Sequence, residues 1–175
     1  MRANVCRALA VILVGTIPLA STAVTSGEAR ADGPPKRIPV AIIVHEKNPA
    51  RNLKLEELRH IFLLEEQFWS DNEKAVVFLR PSGTAEKDAL LEKVFNMTAE
   101  ELKKYWTTAV FSGKASSVPT AVRSSAAAIA SVRQTRGGIA AVVSADVSLA
   151  SGVRVLSIDG KQPGDADYPL VVERR

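Results

Sequence analysis

Cysteine is almost missing from this chain. Cys6 is the only one among 175 residues, and it precedes the first apolar run. The sequence beyond that run therefore has no disulfide, no thiol nucleophile and no cysteine metal site. Histidine is nearly as scarce, with His45 and His60 alone. Neither sits near a carboxylate pattern with metal-ligand spacing. His45 ends a strand and could face a site, whereas His60 reads as a helix-surface residue. No Gly-x-Ser-x-Gly elbow surrounds Ser82 or any other serine, which argues against an acyl-transfer enzyme. There is also no basic tract and no basic-aromatic interleaving of the kind that holds nucleic acid. The formal charge of +4 comes partly from the N-terminus. Three of the 23 basic residues and one of the 19 acidic ones lie before residue 32, leaving 20 against 18.

The N-terminus has the layout of a secretory signal peptide. Arg2 and Arg7 form a basic start, and ALAVILVGTIPLA, residues 8–20, is a short apolar run. Ala29-Arg30-Ala31 supplies small residues at a peptidase spacing. The run is too short for a comfortable transmembrane helix. The expected organisation is a signal peptide over 1–31, a flexible lead-in over 32–37, and one domain over 38–175. Such a protein would be periplasmic or secreted. Its domain is long enough to bury about two-thirds of its unfolded surface.

Strands and helices alternate along that domain. IPVAIIVH, 38–45, is β-branched and dense enough for a buried strand. Asn48-Pro49 marks a turn. Leu55, Leu58, Ile61 and Phe62 share a helix face. A loop over 65–74 carries Phe68-Trp69 as an aromatic anchor or exposed partner surface. A strand is expected over 75–79, then a helix from Thr84 to about Phe95 with Ala89, Leu90, Val94 and Phe95 inward. Thr98 and Glu101 form a capping box for a third helix ending near Phe111. A fourth helix is expected over 120–134, with Val122, Ala126, Ile129, Ala130 and Val132 toward the core. Strands follow at 138–143 and 153–158, with a short last one over 168–172. This alternation predicts an α/β fold with a largely parallel or mixed sheet and helices on both faces.

The stretch Arg80-Pro81-Ser82-Gly83-Thr84 carries most of the chemistry. It ends a strand and opens a helix, where unpaired N–H groups and the positive helix end favour an anion. Ser82 and Thr84 bring hydroxyls, Gly83 allows close approach, and Arg80 adds a fork-shaped cation. The plainer reading of the same residues is a helix N-cap. Lys87 reads either as a solvated lysine or as an extra cation for the anion.

The order of these segments resembles a known family. IPVAIIVHEKNPARNLKLEELRHIFL, a loop with Phe-Trp, then VVFLRPSGTAEKDALLEKVF, is similar to the phosphate-type substrate-binding proteins of bacterial ABC importers. NMTAEELKKYW and SGKASSVPTAVRSSAAAIASVRQTRGGIAAVVSA match the family's later pieces, although Ala140 and Val142 stand where Gly and Tyr are usual. The family folds as two lobes, and this chain has length for about one, the lobe with the Ser-Gly-Thr turn. The resemblance implies a periplasmic-binding-protein-like domain. It implies phosphate or a similar oxyanion as ligand, held by Arg80, Ser82, Gly83 and Thr84. It implies ABC importer membrane subunits or other periplasmic proteins as partners; from the residues themselves no cofactor or metal is expected. The alternative is an interaction module of the same fold without tight ligand binding.

Overall fold

The first strand, β1 (Lys36–His45), runs through the centre of the fold. In the computed structural model the described residues are 36–147 and 151–174, all within the unit Gly33–Arg175. Residues 40–44 are completely buried. Their alternation splits them between two faces, as a pleated strand requires. Val40, Ile42 and Val44 enter one core, and Ala41 and Ile43 enter the other.

The main sheet is mixed, in the order β4 (Thr120–Ala121), β3 (Val76–Leu79), β5 (Gly138–Val143), β1 and β6 (Val153–Val155), with the last strand, β8 (Val171–Arg174), pairing the opening residues of β1. β3 (Val76–Leu79) lies parallel to β4 (Thr120–Ala121) and to β5 (Gly138–Val143). β1 runs antiparallel to β5, to β6 (Val153–Val155) and to β8. A separate parallel pair joins β2 (Asn52–Leu53) to β7 (Ser157–Ile158).

Helices cover both faces. On one side lie α1 (Leu55–Phe62), α2 (Ala85–Ala89), its π-helical continuation Leu90–Phe95, and α3 (Ala99–Phe111). Phe62, Leu90, Phe95 and Leu102 fill that core and are fully buried. The other face carries α4 (Ser125–Gln134) and α5 (Ser144–Val147), which pack Ala128, Val132 and Val147 on the sheet. The expected α/β architecture is therefore present, with a mixed sheet.

Local chemistry explains the boundaries. Lys54 is a poor cap, yet α1 starts there because the Glu57 carboxylate accepts the Lys54 N–H at 2.8 Å. Thr98 and Glu101 form the reciprocal box at α3. Asn96, left-handed at φ 51°, ends the π segment.

Several expectations need correction. Lys36 and Arg37, assigned to a lead-in, already pair with Arg174 and Glu173 in the sheet. α4 begins at Ser125 because the Ser124 hydroxyl caps it at Ala127. The preceding residues pair with β3 instead, and the later start leaves Ala126 exposed. The strand expected over 153–158 divides between two sheets. β6 follows β1, while Ser157 and Asp159 turn to the Arg51 and Leu53 carbonyls near β2. The last strand is displaced to Val171–Arg174, and buried Tyr168 instead donates its hydroxyl to the Val40 carbonyl at 2.9 Å. Trp69 is no partner surface: it is buried and donates its indole N–H to Gly137, so of the pair only Phe68 is exposed. The signal-peptide segment, 1–31, lies outside the described residues.

Gly137 admits no side chain. A Cβ there would stand 1.9 Å from the Lys74 carbonyl oxygen. Its own carbonyl accepts from Trp69 Nε1 at 2.9 Å and from the Val76 N–H at 3.0 Å. Gly137→Ala should cost about 3 kcal/mol, read as a lower urea midpoint at unchanged slope. An unaltered midpoint would show that this backbone approach does not constrain the fold.

Candidate functional site

The parallel strands β4, β3 and β5 all end on the same side of the sheet. Because β1 runs the other way, its first residues lie at that end too. Arg80 follows β3, Ser125 opens α4 after β4, Ser144 follows β5, and Lys36 to Pro39 begin β1. These segments enclose an open cleft of about 570 Å³. Ligands of open α/β sheets collect at such carboxyl ends.

Arg80, Gly83 and Thr84 all line this cleft. Ser82 is exposed in the same turn but does not line it. Thr84 caps α2, its hydroxyl oxygen accepting the Lys87 N–H at 3.4 Å while its proton goes to the Pro81 carbonyl at 2.9 Å. The hydroxyl is thus occupied within the turn. Its backbone neighbours differ, since the N–H groups of Ala85 and Glu86 precede the first intrahelical bond, from Asp88 to Thr84. They are the donors the helix start leaves for a ligand. Gly83 has φ +83°, a conformation that side chains resist.

Arg80 is mostly buried, its side chain retaining 14% exposure. Its Nε donates to Glu86 Oε1 at 3.3 Å, and Nη1 approaches the Val122 carbonyl at 3.5 Å. Glu86 is 3% exposed, and the same oxygen accepts the Ser125 hydroxyl at 3.2 Å. The guanidinium is therefore oriented before any ligand arrives. Glu86, Ser125 and Arg174 went unnoticed in the sequence. Arg174 donates to the Gly83 carbonyl at 3.3 Å and to Asp88 at 3.2 Å, tying the turn to β8. Nothing local signals a partner 91 residues away.

Lys87 is neither solvated nor in the cleft. It is 6% exposed, with its ammonium 4.6 Å from the Trp106 ring centre and 6.0 Å from that of Phe95. The aromatic faces attract the cation, yet burial lowers its pKa to about 8. His45 ends β1 and so lies at the opposite end of the sheet from the cleft, where its Nδ1 accepts the Lys47 N–H at 3.1 Å. His60 is half exposed on α1 and shares Glu65 with Tyr105. The Tyr105 hydrogen bond, more than that of His60, lowers the Glu65 pKa; burial, then Glu65, pushes Tyr105 up to about 12. Among the described residues, no group of three His, Cys, Asp or Glu is placed to hold a metal, and no helix is long and apolar enough to cross a membrane.

The architecture is that of an α/β domain with a cationic cleft at its strand ends. No family model matches the sequence, and no curated protein does. Solved structures do share the fold. A protein of Clostridium perfringens, described as a phosphate ABC transporter substrate-binding protein and solved with bound phosphate, is 19% identical. It superposes at TM-score 0.62 over 78% of this chain and 54% of its own. PstS of Borrelia burgdorferi gives 17% and 0.63 over 81% and 57%, respectively. An ABC-type phosphate transport receptor of Vibrio cholerae gives 15% and 0.61 over 78% and 55%. The chain thus has the periplasmic-binding-protein fold and spans about half the length of these structures.

The Lys87 ammonium makes stability depend on pH. Its ordinary value is 10.5 and its folded value about 8. Between those values the unfolded chain holds more protons, so stability rises with pH. From pH 7 to 9.5 the wild type should gain about 1 kcal/mol relative to Lys87→Met, after allowance for solvent near the ammonium. Parallel pH profiles from urea unfolding would show instead that the ammonium is fully hydrated.

Proposed function

We propose that this protein binds phosphate or a similar oxyanion in the cleft at the end of β3. The observation that carries the reading is Arg80, held by Glu86 beside the open N–H groups of Ala85 and Glu86. Gly83 and Thr84 would bring the backbone to the anion, and Ser82 is the fourth residue of the set, at the exposed edge of the turn. Charge-assisted hydrogen bonds from a fixed guanidinium and helix-start amides suit a tetrahedral oxyanion. The fold shared with phosphate-binding transport proteins supports the same reading. We further propose that the protein is exported and delivers its anion to the membrane subunits of an ABC importer. The site is read as one of binding rather than catalysis, a reading supported by the transport proteins whose fold the chain shares.

The charges already paired in the cleft favour the second reading, an interaction module, if they saturate Arg80. Calorimetric titration with phosphate and sulfate separates the two, alongside a thermal-shift series. Millimolar phosphate should raise Tm by a few degrees for a ligand well above its Kd. The double variant Arg80→Gln/Glu86→Gln, which removes both charges without stranding either, should show no rise. Flat titrations with both anions would reject anion binding and leave the interaction reading.

A further inference from the structure

The cleft leaves one group of titratable side chains unused. α1, the turn after it and α3 meet at Glu65, whose two carboxylate oxygens serve different helices. One accepts the Tyr105 hydroxyl of α3, and the other accepts the His60 Nδ1–H of α1. An ionised carboxylate only accepts, so both neighbours donate to it. The turn that delivers Glu65 carries backbone strain. Leu64 has φ 66°, a left-handed conformation that a leucine side chain resists. Local bonds hold it there: the Leu63, Leu64 and Glu65 N–H groups donate to the Arg59, Ile61 and His60 carbonyls at 2.8, 3.1 and 2.9 Å. Trp106, next to Tyr105 on α3, donates to the Phe62 carbonyl at 3.1 Å and covers the Lys87 ammonium. Glu65 thus secures the part of α3 that closes over Lys87.

We propose that Glu65 is an acid-released latch between α1 and α3, closed while its carboxylate is ionised and loosened when that carboxylate takes up a proton. The titratable groups around it come from three helical segments. Tyr105 comes from α3, Arg59 and His60 from α1, and Lys93 from the π segment. Glu56 lies 3.9 Å from the other ring nitrogen of His60, and Lys93 pairs with Glu92. Glu101 and Lys104 share a second cavity with Tyr105. The Tyr105 hydrogen bond, opposed by burial and then aided by His60 and Arg59, holds the Glu65 carboxyl below its ordinary value of 4.5. A carboxyl lowered on folding stabilises the folded form fully above that ordinary value, and the stabilisation is lost as pH falls through the folded value. The Glu65 side chain keeps 40% exposure, so solvent screens its contacts and the latch is worth a factor of roughly two to five in closure. Such a factor shifts a local opening equilibrium without unfolding the sheet.

Hydrogen exchange of the full chain tests the latch, followed by mass spectrometry at pH 7 and about pH 3.5 and corrected for intrinsic rates. In wild type, peptides over 62–68 and 102–111 should lose protection roughly threefold at the acid pH, relative to a β5 peptide over 138–143. Glu65→Gln, which stands for the protonated side chain, should show the loosened level already at pH 7 and no further relative loss. Tyr105→Phe, which removes the contact that lowers Glu65 most, should lose protection at a higher pH than wild type. Equal relative protection at both pH values in wild type would overturn the latch. So would an acid loss of the same size in Glu65→Gln, which would move the sensitivity to Glu101, the capping carboxylate of α3.

Discussion

The Arg80–Glu86 ion pair holds the site together. It spans 3.3 Å between the residue that ends β3 and the first turn of α2, and Ser125 brings the start of α4 to the same carboxylate. A pair this buried contributes little net stability, because desolvation offsets most of the Coulomb attraction. Breaking it from one side would leave a charge stranded at low exposure, which is strongly unfavourable. The pair is therefore better understood as a positioning device. It fixes the plane of the guanidinium and sets where the helix starts meet, at an orienting cost borne during folding and not during binding.

The antiparallel run of β1 makes that convergence useful. A wholly parallel sheet would place only strand ends and helix starts around the cleft. Here the beginning of β1 and the end of β8 are added, with Lys36 opposite Arg174 in register. Both Lys36 and Arg174 line the cleft. Arg174 also spans to the Gly83 carbonyl, so the C-terminal strand holds the turn that β3 and α2 form. Gly83 has a left-handed φ, and the Thr84 hydroxyl is used within the turn, so Thr84 contributes to the cleft through the helix start it caps and not through a free hydroxyl.

Much of the fold was legible because it rests on local signals. The β-branched run before His45, the α1 face and the Thr98–Glu101 box each encode their element within a few residues. The strand–turn–helix at Arg80 was visible for the same reason, and three of its four named residues reach the cleft. What escaped notice is non-local. Glu86 looked like any acid in a first helical turn, and its role depends on Ser125, which arrives 39 residues later. Lys87 looked solvated because its helix position is exposed in isolation. Only the docking of α3 puts Trp106 over it. The π segment Leu90–Phe95 has no sequence signature of its own. It carries the helix from the cleft into the Phe62–Phe95–Trp106 cluster, where ring centres are 6.4 and 6.3 Å apart.

These contacts also bear on how strongly the cleft can hold an anion. One side of the site is rigid and desolvated, with Arg80 mostly buried and Glu86 almost wholly so. The other side is open to water, where solvent and salt screen a charge–charge attraction within about 10 Å. The paired carboxylate reduces the field at the guanidinium further. Pre-orientation offsets part of this loss, since fixed donors spare the binding step their ordering entropy. Fixed donors on one side and screening on the other therefore act in opposite directions on any anion placed at Arg80.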